Sequence, residues 1–258
     1  MAIHPSAIVD PSARIHESAE IGPYCIVGAG VEIGERTRLM NHVSVEGPTW
    51  IGADNLFYPY ASVGHASQDQ KYHGEYSETR IGSRNSIREF VTIHRGTEGG
   101  GCVTSIGDDN LLMAYVHVAH DCRVGNGTIL SNAATLGGHV VVEDFARISA
   151  FSGVHQFCRV GRHAMVGGYC VVTQDVPPYS LSSTEREIKV YGANKVGLER
   201  KGYTAEVIQA LHKTFRLLGS RELNTRQAIE RIRGEVTPCS EVDEVIAFIE
   251  SSERGIIK

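Results

Sequence analysis

Aliphatic side chains recur at every sixth residue from Val9 to Val172, with few breaks. The series runs Val9, Ile15, Ile21, Val27, Ile33, Leu39, Val45, Ile51, admits Phe57 as its one aromatic member, and reaches Val63. It resumes at Ile81, Ile87 and Ile93, and again from Ile106 to Val172. A period of six fits neither an amphipathic helix, at roughly 3.6 residues, nor an alternating strand, at about two. It is the spacing of a parallel β-helix, in which no repeat can bury its apolar side until the next is stacked on it.

Three six-residue faces make one turn, so residues 18 apart in sequence lie one above the other, about 4.8 Å apart. The predicted fold class is mainly β: a left-handed parallel β-helix of hexapeptide repeats over residues 1–177. A connector and a small α-helical C-terminal domain over 178–258 follow. Paired prolines, Pro177 and Pro178, mark the expected end of the ladder. Beyond them Thr204 is placed to cap a helix running to about Leu218, and two more helices are expected at 225–233 and 241–251.

Two segments interrupt the period. Between Val63 and Ile81 the hexad phase survives but the sequence Gly64 to Glu75 is polar, which predicts a loop at about 64–80. Between Ile93 and Ile106 one residue too many is present, centred on Gly99-Gly100-Gly101, which predicts a second loop at about 98–105. Loops on a rigid scaffold are where function tends to sit.

The fifth position of each hexad takes small residues, because the coil interior is narrow. Cys25, Cys122, Cys158 and Cys170 all fall there and read as small core hydrophobes. Cys102 and Cys239 are single thiols outside the repeat, and the absence of any CxxC pair fits a reduced cytoplasm. The net charge of -5, with 12 His taken as neutral, gives no basic field for nucleic acid. No charged segment followed by a long apolar core opens the chain, and no apolar run is long enough to span a bilayer. Outward apolar residues, for which Phe57, Tyr58, Tyr60, Phe157 and Tyr169 are candidates, point to self-association.

The stacking rule then places the histidines. Gly138 should lie directly over His120, Gln156 over Gly138, and His139 over Asp121. An imidazole, a carboxylate, an unshielded glycine amide and a second imidazole on one ridge are the parts needed for general-base acyl transfer. His120 would be the base, Asp121 its orienting partner and the Gly138 N–H an oxyanion donor. Solvated surface histidines are the plain alternative. A zinc site of the gamma-class carbonic anhydrase type is another, but the His-x4-His spacing it uses is missing, since Cys122 and Gly125 occupy the required places after His117 and His120.

Several longer stretches carry a resemblance: Gln68-Asp69-Gln70-Lys71-Tyr72, Ile93-His94-Arg95-Gly96-Thr97, His117-Val118-Ala119-His120-Asp121-Cys122, Gly138-His139-Val140, Val154-His155-Gln156-Phe157-Cys158, Gln174 to Tyr179 and Gly197 to Tyr203. In this order they resemble the acyl-[acyl-carrier-protein]–UDP-N-acetylglucosamine O-acyltransferases of lipid A biosynthesis, over nearly the whole chain. The resemblance implies transfer of a 3-hydroxyacyl group to the sugar 3-hydroxyl, with acyl carrier protein as partner. It implies no bound cofactor or metal, the acyl group arriving on the carrier's phosphopantetheine. It implies a cytoplasmic homotrimer whose sites lie between neighbouring subunits.

By position, His120, Asp121 and Gly138 are similar to the family's catalytic groups. Asp69, Lys71, His117, His139, His155, Gln156, Asn194, Arg200 and Lys201 resemble its substrate-binding residues. Gly168, with Met165 nearby, resembles the residue that limits acyl length, and the small column Gly168, Ala150 and Asn132 suggests a long chain. Arg159, Arg162, Arg200 and Lys201 are candidate docking charges for the acidic carrier. The connector 182–189 is unusual for the family, Val196 stands where some members carry an acid, and Lys201 replaces an Arg, which removes a bidentate phosphate contact. A 3-amino sugar acceptor, giving an amide, remains the alternative.

Overall fold

The computed structural model describes residues 2–183, 190, 192–220, 222–252 and 256. The chain divides into two compact units, Met1–Thr184 and Glu185–Lys258. The first is a left-handed parallel β-helix with three faces. Its strands, mostly two residues long, fall into parallel sheets of ten, nine and eight strands, one sheet to a face, met by the chain in the order first, second, third. Each hexad aliphatic pairs with the same position one turn on: Val9 with Val27, Ile33 with Ile51, Leu112 with Leu130. Burying each of these side chains wholly is worth about 1.5–3 kcal/mol, and the backbone ladders supply the hydrogen bonds that so narrow a core requires.

Cys25, Cys122, Cys158 and Cys170 are buried in that core, as their hexad position requires. Burial pushes the Cys122 thiol up to about 12, so it is inert at neutral pH. Phe57 is not an outward residue: it is completely buried, between Leu39 and Ile87 on the first face. Its place in the hexad decides its direction, and its size only fills that layer more fully.

The interruptions change the stacking partners. Val63 pairs with Ile93 and Ile51 with Ile81, a step of 30 instead of 18. Thr92 pairs with His117, a step of 25. The intact hexad phase between Val63 and Ile81 therefore does not make them stacked neighbours. They sit on adjacent faces, and residues 66–77 leave the coil. Gly64, His65 and Glu78 to Arg80 are strand residues, so this loop is shorter than expected. The second excursion spans 95–102 and contains a 3-10 turn at Glu98–Gly100. Both leave from the same corner, between the second and third faces.

The ladder also runs past the prolines. Leu181–Ser182 pairs with Met165–Val166 on the first face. Pro177 and Pro178 fall at a corner, between the donors Val176 N–H, to Arg159 O, and Tyr179 N–H, to Arg162 O. A corner asks no ladder N–H of either proline, so the strand can resume.

The second unit is helical: α1 (Lys195–Arg200), α2 (Ala205–Leu218), α3 (Thr225–Glu235) and α4 (Ser240–Glu250). Thr204 caps α2 as expected, and Asn224 with Gln227 forms a capping box on α3. Leu211, Leu218, Ile229, Ile232, Val242 and Ile246 meet in its core. α1, too short to show a period, was not expected. Residues 184–189 of the unusual connector lie outside the described residues.

Candidate active site

The corner between the second and third faces carries the site through consecutive turns. The excursion 66–77 leaves from one turn, 95–102 from the next, and the tight corner Ala119-His120-Asp121-Cys122 closes the third. The corner residues Asp121, His139 and Phe157 all take left-handed backbone, at φ 60, 62 and 68. That conformation turns their side chains outward in register, and the remaining geometry follows from it.

Asp121 is buried beneath the second excursion. Its Oδ1 accepts the Thr97 backbone N–H at 2.9 Å, and its Oδ2 accepts the Thr97 hydroxyl at 2.6 Å. The Asp121 N–H donates to Thr104 Oγ1 at 2.7 Å. His120 Nδ1 lies 2.8 Å from Asp121 Oδ2. An ionised carboxylate only accepts, so Nδ1 carries the proton and Nε2 presents a lone pair. That Nε2 lies 3.8 Å from Asp69 Oδ2, on the first excursion.

Gly138 stands over His120 as the stacking rule requires. A Cβ there would come within 2.5 Å of His120 Cε1 and Nε2, so the glycine makes room for the imidazole. The Gly138 N–H has no acceptor among the described residues. His139 meets His120 edge-on, with ring centroids 5.1 Å apart, and stacks flat on Phe157 at 4.4 Å. Its Nε2 is 3.8 Å from Asp121 Oδ2. Burial holds His139 below the ordinary imidazole value, against an opposing pull from Asp121.

Donor atoms of His120, Asp121 and His139 lie within 4.8 Å of one another, a spacing at which a cation could be held. Both Asp121 oxygens, however, are already taken by Thr97 and His120, and the set suits proton transfer better than metal ligation.

The other expected residues fall into three groups. His117 lies on the second face, its Nδ1 2.7 Å from Thr92 Oγ1 and its ring edge-on to His94. Burial lowers His117, and it lowers the enclosed His94 to about 4, with His117, His65 and His120 adding to the effect. Lys71 is exposed on the first excursion, where its N–H donates to Asp69 Oδ1. His155 and Gln156 are exposed two turns above His117, with His155 Nδ1 3.1 Å from Gln156 O. Outward residues of the second face here are His117, Thr135, Gly153 and Val171, and Gly153 opens onto free space. Gly168 is exposed at the corner between the first and second faces, and Met165 is exposed on the first.

Arg159 and Arg162 are not free charges. The first pairs with Asp175 at 2.9 Å and the second with Asp144 at 3.5 Å. Asn194 belongs to the helical unit and caps α1, its Oδ1 accepting the Gly197 N–H. Arg200 and Lys201 are exposed at the end of the same helix. The residues that sequence reasoning missed are Thr97, Gly100 and Thr104. The glycine run at 99–101 marked a departure from the coil, but nothing in the period said where the chain would return.

Two family profiles match: one described as Udp N-acetylglucosamine O-acyltransferase, Domain 2, over residues 175–257, and bacterial transferase hexapeptide repeats over 104–138. An acyl-[acyl-carrier-protein]–UDP-N-acetylglucosamine O-acyltransferase of Thermodesulfovibrio yellowstonii is 47% identical over 256 residues, covering 99% of each chain. One from Stenotrophomonas maltophilia is 44% identical, covering 99% of this chain and 97% of its own. Among solved structures, LpxA from Acinetobacter baumannii covers 100% of both chains at 42% identity, with a TM-score of 0.71. With this similarity running from one end of the sequence to the other, the chain belongs to the acyl-[acyl-carrier-protein]–UDP-N-acetylglucosamine O-acyltransferase family.

Proposed function

We propose that this acyltransferase moves a 3-hydroxyacyl group from acyl carrier protein to the 3-hydroxyl of UDP-N-acetylglucosamine, the first step of lipid A biosynthesis, in the cytoplasm and as a homotrimer. The observation that carries the reading is the His120–Asp121 pair, buried on one side, with Nε2 3.8 Å from Asp69 Oδ2 and the ring seated in the space left by the missing Cβ of Gly138.

His120 Nε2 takes the proton of the sugar hydroxyl as its oxygen attacks the thioester carbonyl. Asp121 holds Nδ1–H and stabilises the imidazolium that forms. The unpartnered Gly138 N–H receives the oxyanion of the tetrahedral intermediate. Collapse breaks the carbon–sulfur bond, and the pantetheine thiolate takes its proton from Nε2–H, returning His120 to its starting state. Asp69 and Lys71, at the mouth of the site, contact the sugar and phosphates. His117, His139, His155 and Gln156 are the coil's candidate contacts to the nucleotide sugar; Asn194, Arg200 and Lys201 are those of the helical unit, and Arg200 and Lys201 are also the remaining candidates for carrier docking. A long acyl chain lies along the coil, limited near Gly168 and Met165.

The deciding experiment is an acyl-transfer assay with UDP-N-acetylglucosamine and its 3-amino analogue, over a series of 3-hydroxyacyl carrier proteins. Ester formation with a long-chain preference is expected. Turnover with the amino sugar alone would overturn the acceptor, and preference for short chains would overturn the role of Gly168.

A further inference from the structure

We infer that Thr97 is a positioning residue for the reaction: it locks the Asp121 carboxylate in the one orientation that holds His120 ready as a base. The inference rests on the His120–Asp121 pair acting as proposed above. A carboxylate on a single methylene can swivel, and it orients an imidazole only if both oxygens are fixed. Thr97 fixes both. Its backbone N–H takes Oδ1 and its hydroxyl takes Oδ2, the same oxygen that accepts His120 Nδ1–H. Thr97 is itself buried, so water does not compete for either bond.

The second excursion is built to present this residue. Gly100 N–H and Cys102 N–H both donate to Thr97 O, and Gly101 takes φ 90, which closes the segment on itself. A Cβ at Gly100 would overlap the Asp121 carboxylate, so the turn lies directly against it. Upstream, Gly96 N–H bonds Glu78 O and Arg95 bonds Gly64 O and His65 O, tying the segment to the strands on either side. The extra residues between Ile93 and Ile106 thus serve as a clamp from one turn of the coil to the acid on the next.

The test is a cycle of full-length variants: Thr97→Val, Thr97→Ser, Asp121→Asn and Thr97→Val combined with Asp121→Asn. Each is assayed for kcat and for KM toward both substrates, with melting curves to report the fold. Valine keeps the shape and the backbone bond but loses the hydroxyl, and a hydrogen bond to a charged group is lost at a cost of about tenfold in rate. The expected result is that drop in kcat with KM unchanged, near-complete rescue in Thr97→Ser, and no further drop when Thr97→Val is added to Asp121→Asn. Wild-type kcat in Thr97→Val, or an undiminished drop in the Asp121→Asn background, would overturn the role while leaving the catalytic pair standing. Full turnover in Asp121→Asn alone would instead overturn the pair, and the role of Thr97 with it.

Discussion

Two corners of the same coil carry polar ladders, and the contrast between them shows what a regular solenoid can and cannot provide. After the third face Arg36, Asp54, Arg84 and Asp109 alternate in sign, with Arg36 Nε 2.7 Å from Asp54 Oδ1 and Arg84 Nε 2.7 Å from Asp109 Oδ1. After the second face stand Asp121, His139 and Phe157. Both series take left-handed backbone at every member. Burial of the acid separates them. The Arg36 and Asp54 side chains are 58% and 38% exposed, whereas that of Asp121 is 1% exposed. Stacking comes from the repeat. Burial at the second corner comes from its interruptions, since both excursions leave there and one folds back over the acid. The same charges that merely decorate one corner can orient an imidazole at the other.

Removing the base tests the buried ladder most severely. His120→Ala should lower kcat about a thousandfold, in the range general-base catalysis contributes, while the melting curve stays put because the hexad core is untouched. Turnover near that of the parent protein would sink the assignment of the whole corner.

A second test reads the burial itself. His94, enclosed beside His117, is held from the ordinary 6.5 down to about 4. The unfolded chain protonates this histidine as pH falls through 6.5, while the folded chain resists until about 4, so stability is full above pH 6.5 and is lost across that window. By linkage the loss from this one group reaches about 3 kcal/mol. The melting temperature should therefore fall from pH 7 to pH 4, and His94→Gln should flatten the fall. An unchanged slope in that variant would show that His94 is not the group responsible.

The coil, and the contacts within it, were legible in the sequence because steric size acts at a fixed period. Valine and isoleucine at one hexad place and small residues at another leave few ways to pack. From that alone Gly138 falls over His120 and four cysteines fall in the core. Phe57 shows the same rule overriding intuition about large aromatics. What the period does not encode is where a departing chain returns. The approach of Asp69 to His120 and the hold of Thr97 on Asp121 depend on local turns and glycine conformations with no repeat to reveal them. The prolines at 177–178 misled for a related reason: a residue that cannot donate is harmless at a corner, and composition alone does not distinguish corner from ladder.

Gly138 offers a narrower test of the buried corner. Gly138→Ala places a methyl 2.5 Å from two ring atoms of His120, so the imidazole must shift. Displacement of a reacting group by about 1 Å can cost about a hundredfold in rate, and that loss is expected in kcat. Gly153→Ala, on the adjoining second face with nothing near its Cβ position, is the control and should leave kcat close to that of the parent protein. Equal effects in the two would mean that glycine is needed for backbone reasons and not to seat the base.

The smallest effect belongs to the exposed ladder. Arg36 makes two bonds to Asp54 and one to Glu35, a well-formed fork, yet all three side chains are open to water. Such exposed pairs contribute little and are screened by salt. A double-mutant cycle of Arg36→Ala and Asp54→Ala, read by chemical denaturation in urea, should give a small coupling that shrinks as sodium chloride is added. Catalysis by the Asp121 corner should show no comparable salt dependence in kcat, because water and ions do not reach the carboxylate. A large coupling that persists in salt would mean that stacking alone, without a covering loop, can strengthen a charge ladder. The covering excursions would then cease to explain why the Asp121 corner is better suited to chemistry than the Arg36 corner.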